Sequence, residues 1–392
     1  MSEAEDNIVN LPESDTPRGR AAVRLGEMLE RRTREGVLWR REGERVRCVA
    51  CAHRCRLRPG QRGACQVRFN QDGALRVPFG YVAGLAVDPI EKKPFYHVLP
   101  GSEALTFGML GCNLHCAYCQ NWLTSQALRD PDSGGRIQAV SPEQMVAAAR
   151  RAGAGTVVSS YNEPLITAEW AAAVFDAALK ENLLCAMVTN GNATPDALDF
   201  LQMRLSAVKV DLKSFRDASY RFLGGSLEAV TQTIQSLHAR GIWVEVVTLL
   251  VPGFNDSDAE LRDMARFIAS VSANIPWHVT AFHPDYRMTR IHPTRPRDLL
   301  RAAALGEEAG LNFVYAGNLP GQVGEWENTR CPRCQKTLVR RAGFRVLECR
   351  LDKDGRCPEC RGRVPGLWNE TVPDSGAGPW KGRKPRLLRF DE

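Results

Sequence analysis

Between residues 103 and 325 short apolar runs alternate with amphipathic stretches, and this alternation restricts the possible folds more than any other feature of the chain. The apolar runs lie at 104–109, 155–160, 183–189, 206–211, 242–250, 277–282 and 312–316. The amphipathic stretches lie at 141–152, 166–181, 195–203, 226–240, 257–270 and 297–309. Ser141-Pro142-Glu143 offers an N-cap followed by proline at the first helical position. Gly241 and Gly310 stand where helices should stop. Strands alternating with helices build a parallel sheet. Six or seven such units predict an α/β fold of the partial (βα)6-type barrel kind. In such barrels the chemistry sits at the C-terminal ends of the strands.

The cysteines add appendages to this barrel. There are thirteen, and all but Cys185 and Cys349 fall in three groups. Met1 to Thr16 is acidic and polar with no apolar segment, so no secretory leader and a cytoplasmic location are expected. No apolar run approaches the ~18 residues of a membrane span. Cysteines in a reducing compartment read as metal ligands or reactive groups. Cys185 reads as a buried strand residue and Cys349 as a spare.

Cys112-x3-Cys116-x2-Cys119 follows directly after the first predicted strand. A ferredoxin supplies four cysteines to a [4Fe–4S] cluster, and here no fourth lies nearby. One iron would be left open, which is what a catalytic metal site needs and a closed structural site lacks. The plainer alternative is a zinc site completed by His115. Cys331-x2-Cys334 and Cys357-x2-Cys360 form two knuckles and predict a zinc-ribbon-like module, with a rubredoxin-like iron as the alternative. Arg340 and Arg341 beside it keep nucleic-acid binding open. Cys48, Cys51, Cys55 and Cys65 suit either zinc or a second iron–sulfur cluster; His53 could replace one of them, and spacing does not decide.

The expected organisation is a disordered and basic helical lead-in at 1–47, a Cys-rich module with a β-rich connector at 48–102, the barrel at 103–325, the ribbon at 326–368 and a flexible basic tail at 369–392. The net charge of +7 is concentrated at 18–47 and 381–389 and reads first as solvated surface.

Gly111-Cys-Asn-Leu-His-Cys-Ala-Tyr-Cys-Gln120 resembles the signature loop of the radical SAM superfamily. The resemblance implies a [4Fe–4S] cluster on Cys112, Cys116 and Cys119, with S-adenosyl-L-methionine on the open iron. One electron from a flavodoxin or ferredoxin would then release a 5′-deoxyadenosyl radical that abstracts hydrogen from a substrate. Tyr118 matches the aromatic residue near the adenine. Ser160-Tyr-Asn-Glu-Pro164 is similar to the family's turn around the methionine amino group, which implicates Asn162 and Glu163. Val208-Lys-Val-Asp-Leu-Lys213 resembles the Asp-x-Lys of glycyl-radical-enzyme activases, so Lys213 would pair with the methionine carboxylate. Thr189 and Asp211 line the same mouth and would hold a monovalent cation. Val251-Pro-Gly253 and Phe282-His283 are similar to further activase motifs and bring His283 to the same rim.

A narrower resemblance, to the radical SAM member of the AmmeMemoRadiSam system, rests on Cys-x2-Cys-x-His-x-Cys at 48–55, Gly-x-Cys-x-Val-Arg-x-Asn at 63–70, Asp-Pro-Ile-Glu-Lys-Lys-Pro at 88–94 and the ending Pro365-Gly-Leu-Trp368. It implies Memo-type and Ammecr-type partner proteins. The group is pyruvate formate-lyase activating enzyme-like, so a glycyl-radical activase is the alternative activity. The alternative of another class is a zinc-ribbon nucleic-acid-binding or electron-transfer protein. Barrel-lining residues are mostly small or apolar, and no substrate class can be read from them.

Overall fold

The computed structural model describes residues 25–368 and 386–387. The barrel runs β1 (Glu103–Gly108), α1 (Pro142–Arg151), β2 (Ala154–Ser159), α2 (Ala168–Lys180), β3 (Leu184–Thr189), α3 (Pro195–Leu201), β4 (Ala207–Asp211), α4 (Leu227–Ala239), β5 (Trp243–Leu250), α5 (Asp258–Val271), β6 (Trp277–Ala281), α6 (Pro296–Glu308) and β7 (Val314–Gly317). Every strand and helix expected there is present, with no end displaced by more than two residues. Hydroxyl N-caps explain part of that agreement: Ser141, Thr194, Ser226 and Ser257 each accept a main-chain N–H in the first turn of the following helix. Such caps contribute about 1 kcal/mol each. The sequence did not indicate the short helix Asp217–Leu223, whose seven residues are too few for a clear period.

Each strand from β1 to β7 pairs in parallel with its sequence neighbour. Right-handed crossovers then put all six helices on one face and leave the other as the lumen. Residues of β6 are buried throughout, as in a strand covered on both faces. At the outer edge of β1, strand Gly84–Pro89 pairs antiparallel, and Arg386–Leu387 pairs on it in turn. These pairings satisfy an edge that would otherwise expose unpaired N–H and C=O groups. The tail, expected to be flexible, is therefore paired at 386–387. Its other residues, and the disorder expected at 1–20, lie outside the described residues.

The helical lead-in is corrected. Only residues 25–30 of its described part are helical, and Thr33–Glu35, Trp39–Glu42 and Arg45–Cys48 are strands. The last two form a hairpin turning at Gly43, whose φ of +64° suits a residue without a side chain. Val46 and Cys48 alternate inward against the arginines between them, a two-residue period that a basic composition obscures. This module is tied to the barrel by a buried ion pair. Arg68 Nη2 and Nη1 donate to Glu169 of α2 at 2.7 and 2.9 Å. The same carboxylate accepts the Val37 and Leu38 N–H groups.

Strands Thr329–Arg330, Thr337–Ala342 and Arg345–Cys349 form the ribbon sheet, which packs near the start of β5 to β7. Arg341 is buried there. It donates to Tyr96 O and Thr329 Oγ1 and stacks 4.2 Å from the Tyr96 ring centre. This removes Arg341 from any nucleic-acid surface, because its charge is consumed in docking the ribbon. Arg340 is exposed but lies beside Glu348. Among the described residues no helix is long and apolar enough to cross a membrane.

Candidate active site

Register brings the C-terminal ends of the strands to one rim. Ser159 lies opposite Phe107 and Met187, Thr189 opposite Val210, and Asp211 opposite Val247. The loop after β1 carries Cys112, Cys116 and Cys119 onto this rim. Leu114, Tyr118, Leu223, Val251 and Phe282 wall it with apolar surface. Tyr118 is buried, its ring 5.6 Å from that of Phe254.

Two of the three sulfurs have hydrogen-bond partners. Leu114 N–H reaches Cys112 Sγ at 3.3 Å, Asn190 Nδ2 reaches the same sulfur at 3.9 Å, and Ser125 Oγ lies 3.1 Å from Cys119 Sγ. Asn190 also donates to Asn113 Oδ1 at 2.7 Å, while the buried Asn113 Nδ2 has no partner. Burial pushes all three thiols up, Cys116 to about 11, with Lys213 opposing the rise at Cys116. They become thiolates when a cationic centre supplies compensation, so metal uptake releases protons.

Two thiolates on one zinc ion at ~2.3 Å can stand no more than ~4.6 Å apart. Among the described residues, one set of three or more ligand atoms lies within 4.8 Å of one another, that of Cys331, Cys334, Cys357 and Cys360. The catalytic-loop cysteines do not converge in this way, which suits a cluster in which each thiolate takes its own iron. The zinc alternative with His115 is not supported: among the described residues no converging set includes His115, which is exposed with its ring beside Gly224.

The resemblance-derived residues surround the same mouth. Tyr161 has φ +67°, strain stored in the turn that presents Asn162 and Glu163. Asn162 Oδ1 accepts Met109 N–H at 2.9 Å. Glu163 turns toward β3 and accepts from Thr189 Oγ1 at 2.6 Å, Asn190 N–H at 2.8 Å and Leu165 N–H at 3.0 Å. Burial raises its carboxyl to about 7, against the pull of those donors and with help from Asp211. Asp211 sits between Lys209 and Lys213, the latter at 3.0 Å. Burial pushes Asp211 up, but the two ammonium groups outweigh it and hold it at about 2. Each oxygen of Asp211, for which the activase resemblance implies a monovalent cation, thus has a lysine partner. Burial alone would lower Lys213, yet Asp211, Cys116 and Tyr118 raise it well above the ordinary value. His283 is exposed and accepts at Nδ1 from Gln120 Nε2, 2.9 Å away, beside the cluster loop. Sequence reasoning missed Asn190, Ser125 and Lys209 as members of the site. Lys209 lay inside a motif already singled out and Asn190 directly after Thr189, whereas Ser125 had no signal. A cavity of about 390 Å3 runs along β6 and β7 from Gln120 and His283 to Tyr96 and Phe344.

Glu163 gives a pH prediction. Its folded value is raised above the ordinary 4.5, so its contribution is present below about 4.5 and is lost as pH rises toward about 7. In urea unfolding of the ligand-free protein, wild type should lose stability relative to Glu163→Gln across that window and run parallel to it above about 7. Parallel behaviour throughout would show that the carboxyl is not raised.

The N-terminal cysteines meet the catalytic loop directly. Gly111 has φ +92°, and a side chain there would stand 2.9 Å from Val67 Cγ1 and 3.1 Å from Cys65 O. Gly111→Ala should therefore cost about 1–3 kcal/mol in denaturant unfolding and weaken iron retention. Unchanged stability and iron content would mean that the contact is loose. His53, a candidate substitute ligand, instead uses Nε2 to bond Asn113 O at 2.8 Å. Cys185 is wholly buried inside β3, as expected.

At the ribbon, Cys331 and Cys360 sulfurs lie 3.5 Å apart, and those of Cys334 and Cys357 lie 3.7 Å apart. This matches ~3.8 Å for a tetrahedron with ~2.3 Å bonds. Each knuckle closes alike: Gln335 (φ +60°) and Arg361 (φ +57°) donate N–H to Cys331 O and Cys357 O. The four cysteines are a metal-binding set. Cys349 stands apart from them.

The model of the Radical SAM superfamily matches residues 107–268. Uncharacterized protein MJ0808 of Methanocaldococcus jannaschii is 34% identical over 335 residues, covering 84% of this chain and 98% of that protein. The isethionate sulfite-lyase activating enzyme of Oleidesulfovibrio alaskensis is 27% identical over 134 residues, 33% of this chain and 43% of that protein. Among solved structures, a domain of pyruvate-formate lyase-activating enzyme from Bacteroides vulgatus superposes with a TM-score of 0.38 at 17% identity, covering 42% of this chain and 99% of that one. Streptococcus suis SuiB bound to S-adenosylmethionine gives 0.43 at 13% identity, covering 60% and 52%. The family match begins at the end of β1, takes in the cluster loop and ends in α5, and family membership implies a [4Fe–4S] cluster and S-adenosylmethionine. The chain is an enzyme of the radical SAM superfamily.

Proposed function

We propose that Cys112, Cys116 and Cys119 hold a [4Fe–4S] cluster whose open iron takes S-adenosyl-L-methionine, and that its reductive cleavage begins hydrogen abstraction from a substrate. The observation that carries this reading is the three-cysteine loop at the end of β1, spread too widely for one ion and with hydrogen-bond partners at two of its sulfurs. When bound, the cluster supplies one electron to the sulfonium, releasing methionine and a 5′-deoxyadenosyl radical. The chain's own residues bind and orient. Lys213 offers a fixed cation for the methionine carboxylate, while Asp211 keeps it charged. Asn162 and Glu163 keep the β2 turn against Met109 and β3, which sets the place of the methionine amino group. Tyr118 and Phe254 provide apolar surface for the adenine, and His283 with Gln120 borders the opening. The cavity along β6 and β7 is the proposed approach for the substrate.

The test is anaerobic reconstitution with iron and sulfide, then dithionite and S-adenosylmethionine, reading 5′-deoxyadenosine by mass spectrometry. An intact cluster that yields none would sink the reading. A second reading makes the hydrogen donor a glycine of a partner protein. The stretch similar to an isethionate sulfite-lyase activating enzyme favours it, and a glycyl-type radical signal on a co-incubated partner is its test. Flavodoxin or ferredoxin as electron donor, and Memo-type and Ammecr-type proteins as partners, belong to the same proposal.

For the ribbon we propose zinc. One zinc per chain is expected by elemental analysis, and Cys357→Ala should lose it while keeping the iron. Iron in place of that zinc would favour the rubredoxin-like alternative.

A further inference from the structure

The four N-terminal cysteines form a site that this chemistry does not use. Cys48 ends a strand, Cys51 and Cys55 flank a turn with Arg54 at φ +44°, and Cys65 lies in a second turn closed by Gln66 N–H to Gly63 O at 2.8 Å. The two turns interlock: Cys48 N–H donates to Cys55 O at 2.9 Å, and Ala64 N–H to Cys55 Sγ at 3.4 Å. Cys48, Cys51 and Cys65 are buried, and Cys55 is half-buried. Cys51 lies within electrostatic reach of the other three thiols. Yet the four sulfurs do not gather within the ~4.6 Å that ligands of one ion require, as the ribbon's four do. Four thiolates brought together but held apart match a multi-iron cluster.

A second observation concerns charge. Arg68 is 2% exposed, and its Nη atoms are taken by Glu169 and Ile166 O. Its Nε–H has no partner. The guanidinium lies within electrostatic reach of Cys48, Cys55 and Cys65. A buried cation with a spare donor beside several sulfurs offsets the negative charge that four thiolates bring to a cluster.

Position suggests the use. Cys65 O stands against Gly111, which precedes the ligand Cys112. Arg129 Nη1 donates to Leu114 O at 2.7 Å, and its Nη2 donates to Ala64 O. His53 bonds Asn113 O. The two cysteine loops thus lie against each other, Gly111 on Cys65 O, and are tied through the His53 and Arg129 side chains.

We propose that Cys48, Cys51, Cys55 and Cys65 hold a second iron–sulfur cluster that passes single electrons to the catalytic one. One electron arrives from a one-electron protein donor such as a reduced flavodoxin. The same electron leaves toward the catalytic cluster, with no bond made or broken and no proton taken up at this site. The relay rests on the proposed catalytic cluster; the coordination does not.

The experiment separates the two. The full-length variant Cys112→Ala/Cys116→Ala/Cys119→Ala is reconstituted anaerobically, and its iron, zinc and acid-labile sulfide are measured. Iron and sulfide in equal amounts, with a cluster signal in electron paramagnetic resonance after dithionite, are expected. Loss of all iron and sulfide, whatever zinc takes their place, overturns the second cluster and leaves the catalytic one standing. Retention of the full wild-type iron and sulfide would support the second cluster and sink the catalytic assignment. For the relay, Cys55→Ala should lose 5′-deoxyadenosine formation driven by reduced flavodoxin but keep that driven by dithionite. Equal flavodoxin-driven rates in variant and wild type overturn the relay.

Discussion

Replacing Cys116 by alanine should remove the brown absorbance of the catalytic cluster and lower 5′-deoxyadenosine formation by more than about a hundredfold. Cys116 is the middle cysteine of the loop and is packed among Leu114, Tyr118, Leu223, Val251 and Phe282. Water cannot readily enter there to replace a missing thiolate, and two remaining cysteines leave two irons without protein ligands. The size of the loss can be judged against an outer partner. Removing a group that only hydrogen-bonds to a metal ligand costs about 10–100-fold. Asn190→Ala, which removes the donor to Cys112 and Asn113, should fall in that range. Cys349→Ala should change neither quantity, since it stands outside all three cysteine groups. Cys116→Ala protein that kept its absorbance and its product would show that the cluster is held elsewhere.

Glu169→Ala should cost about 3–5 kcal/mol of stability in urea unfolding, the range for breaking one side of a buried ion pair. Both side chains are almost wholly buried. Alanine would leave the Arg68 guanidinium without its counter-charge and the Val37 and Leu38 N–H groups without their acceptor. The pair also joins the N-terminal module to α2, so the loss should appear as earlier opening of that module in hydrogen exchange. Its pH dependence has the opposite sign to that of Glu163. Burial pushes the Glu169 carboxyl up, but Arg68 and main-chain donors outweigh it and hold it below 4.5. The contribution is therefore present above about 4.5 and is lost as pH falls below it. Arg68→Met/Glu169→Leu should be much less costly than Glu169→Ala, because it removes both charges together. Equal costs for the two would mean that packing, and not the ion pair, dominates this contact.

Local signals made much of the molecule legible. The barrel elements carry their periods and their caps within a few residues of chain, so Ser141, Thr194, Ser226 and Ser257 mark helix starts wherever the helices end up packing. The two ribbon knuckles are likewise local, since each closes on its own carbonyl. The lead-in was misread because its arginines outnumber the two buried residues that define the inner face of Arg45–Cys48. Arg341 was misread for a related reason: a charged side chain in sequence carries no mark of being buried against Tyr96, 245 residues away.

By itself the sequence determined the order of strands and helices, the cluster loop at the end of the first strand, and the grouping of the cysteines. Each depends on periods or spacings within a short stretch of chain. Only the tertiary structure decided which side chains meet: Glu163 braces Thr189 and Asn190, Lys209 shares Asp211 with Lys213, and Arg68 finds Glu169. It also decided that the ribbon cysteines converge as one ion requires while the other two groups stay open. Those distances follow from how distant segments pack, which no local pattern encodes. They set the ribbon cysteines apart from two groups that resemble them in sequence.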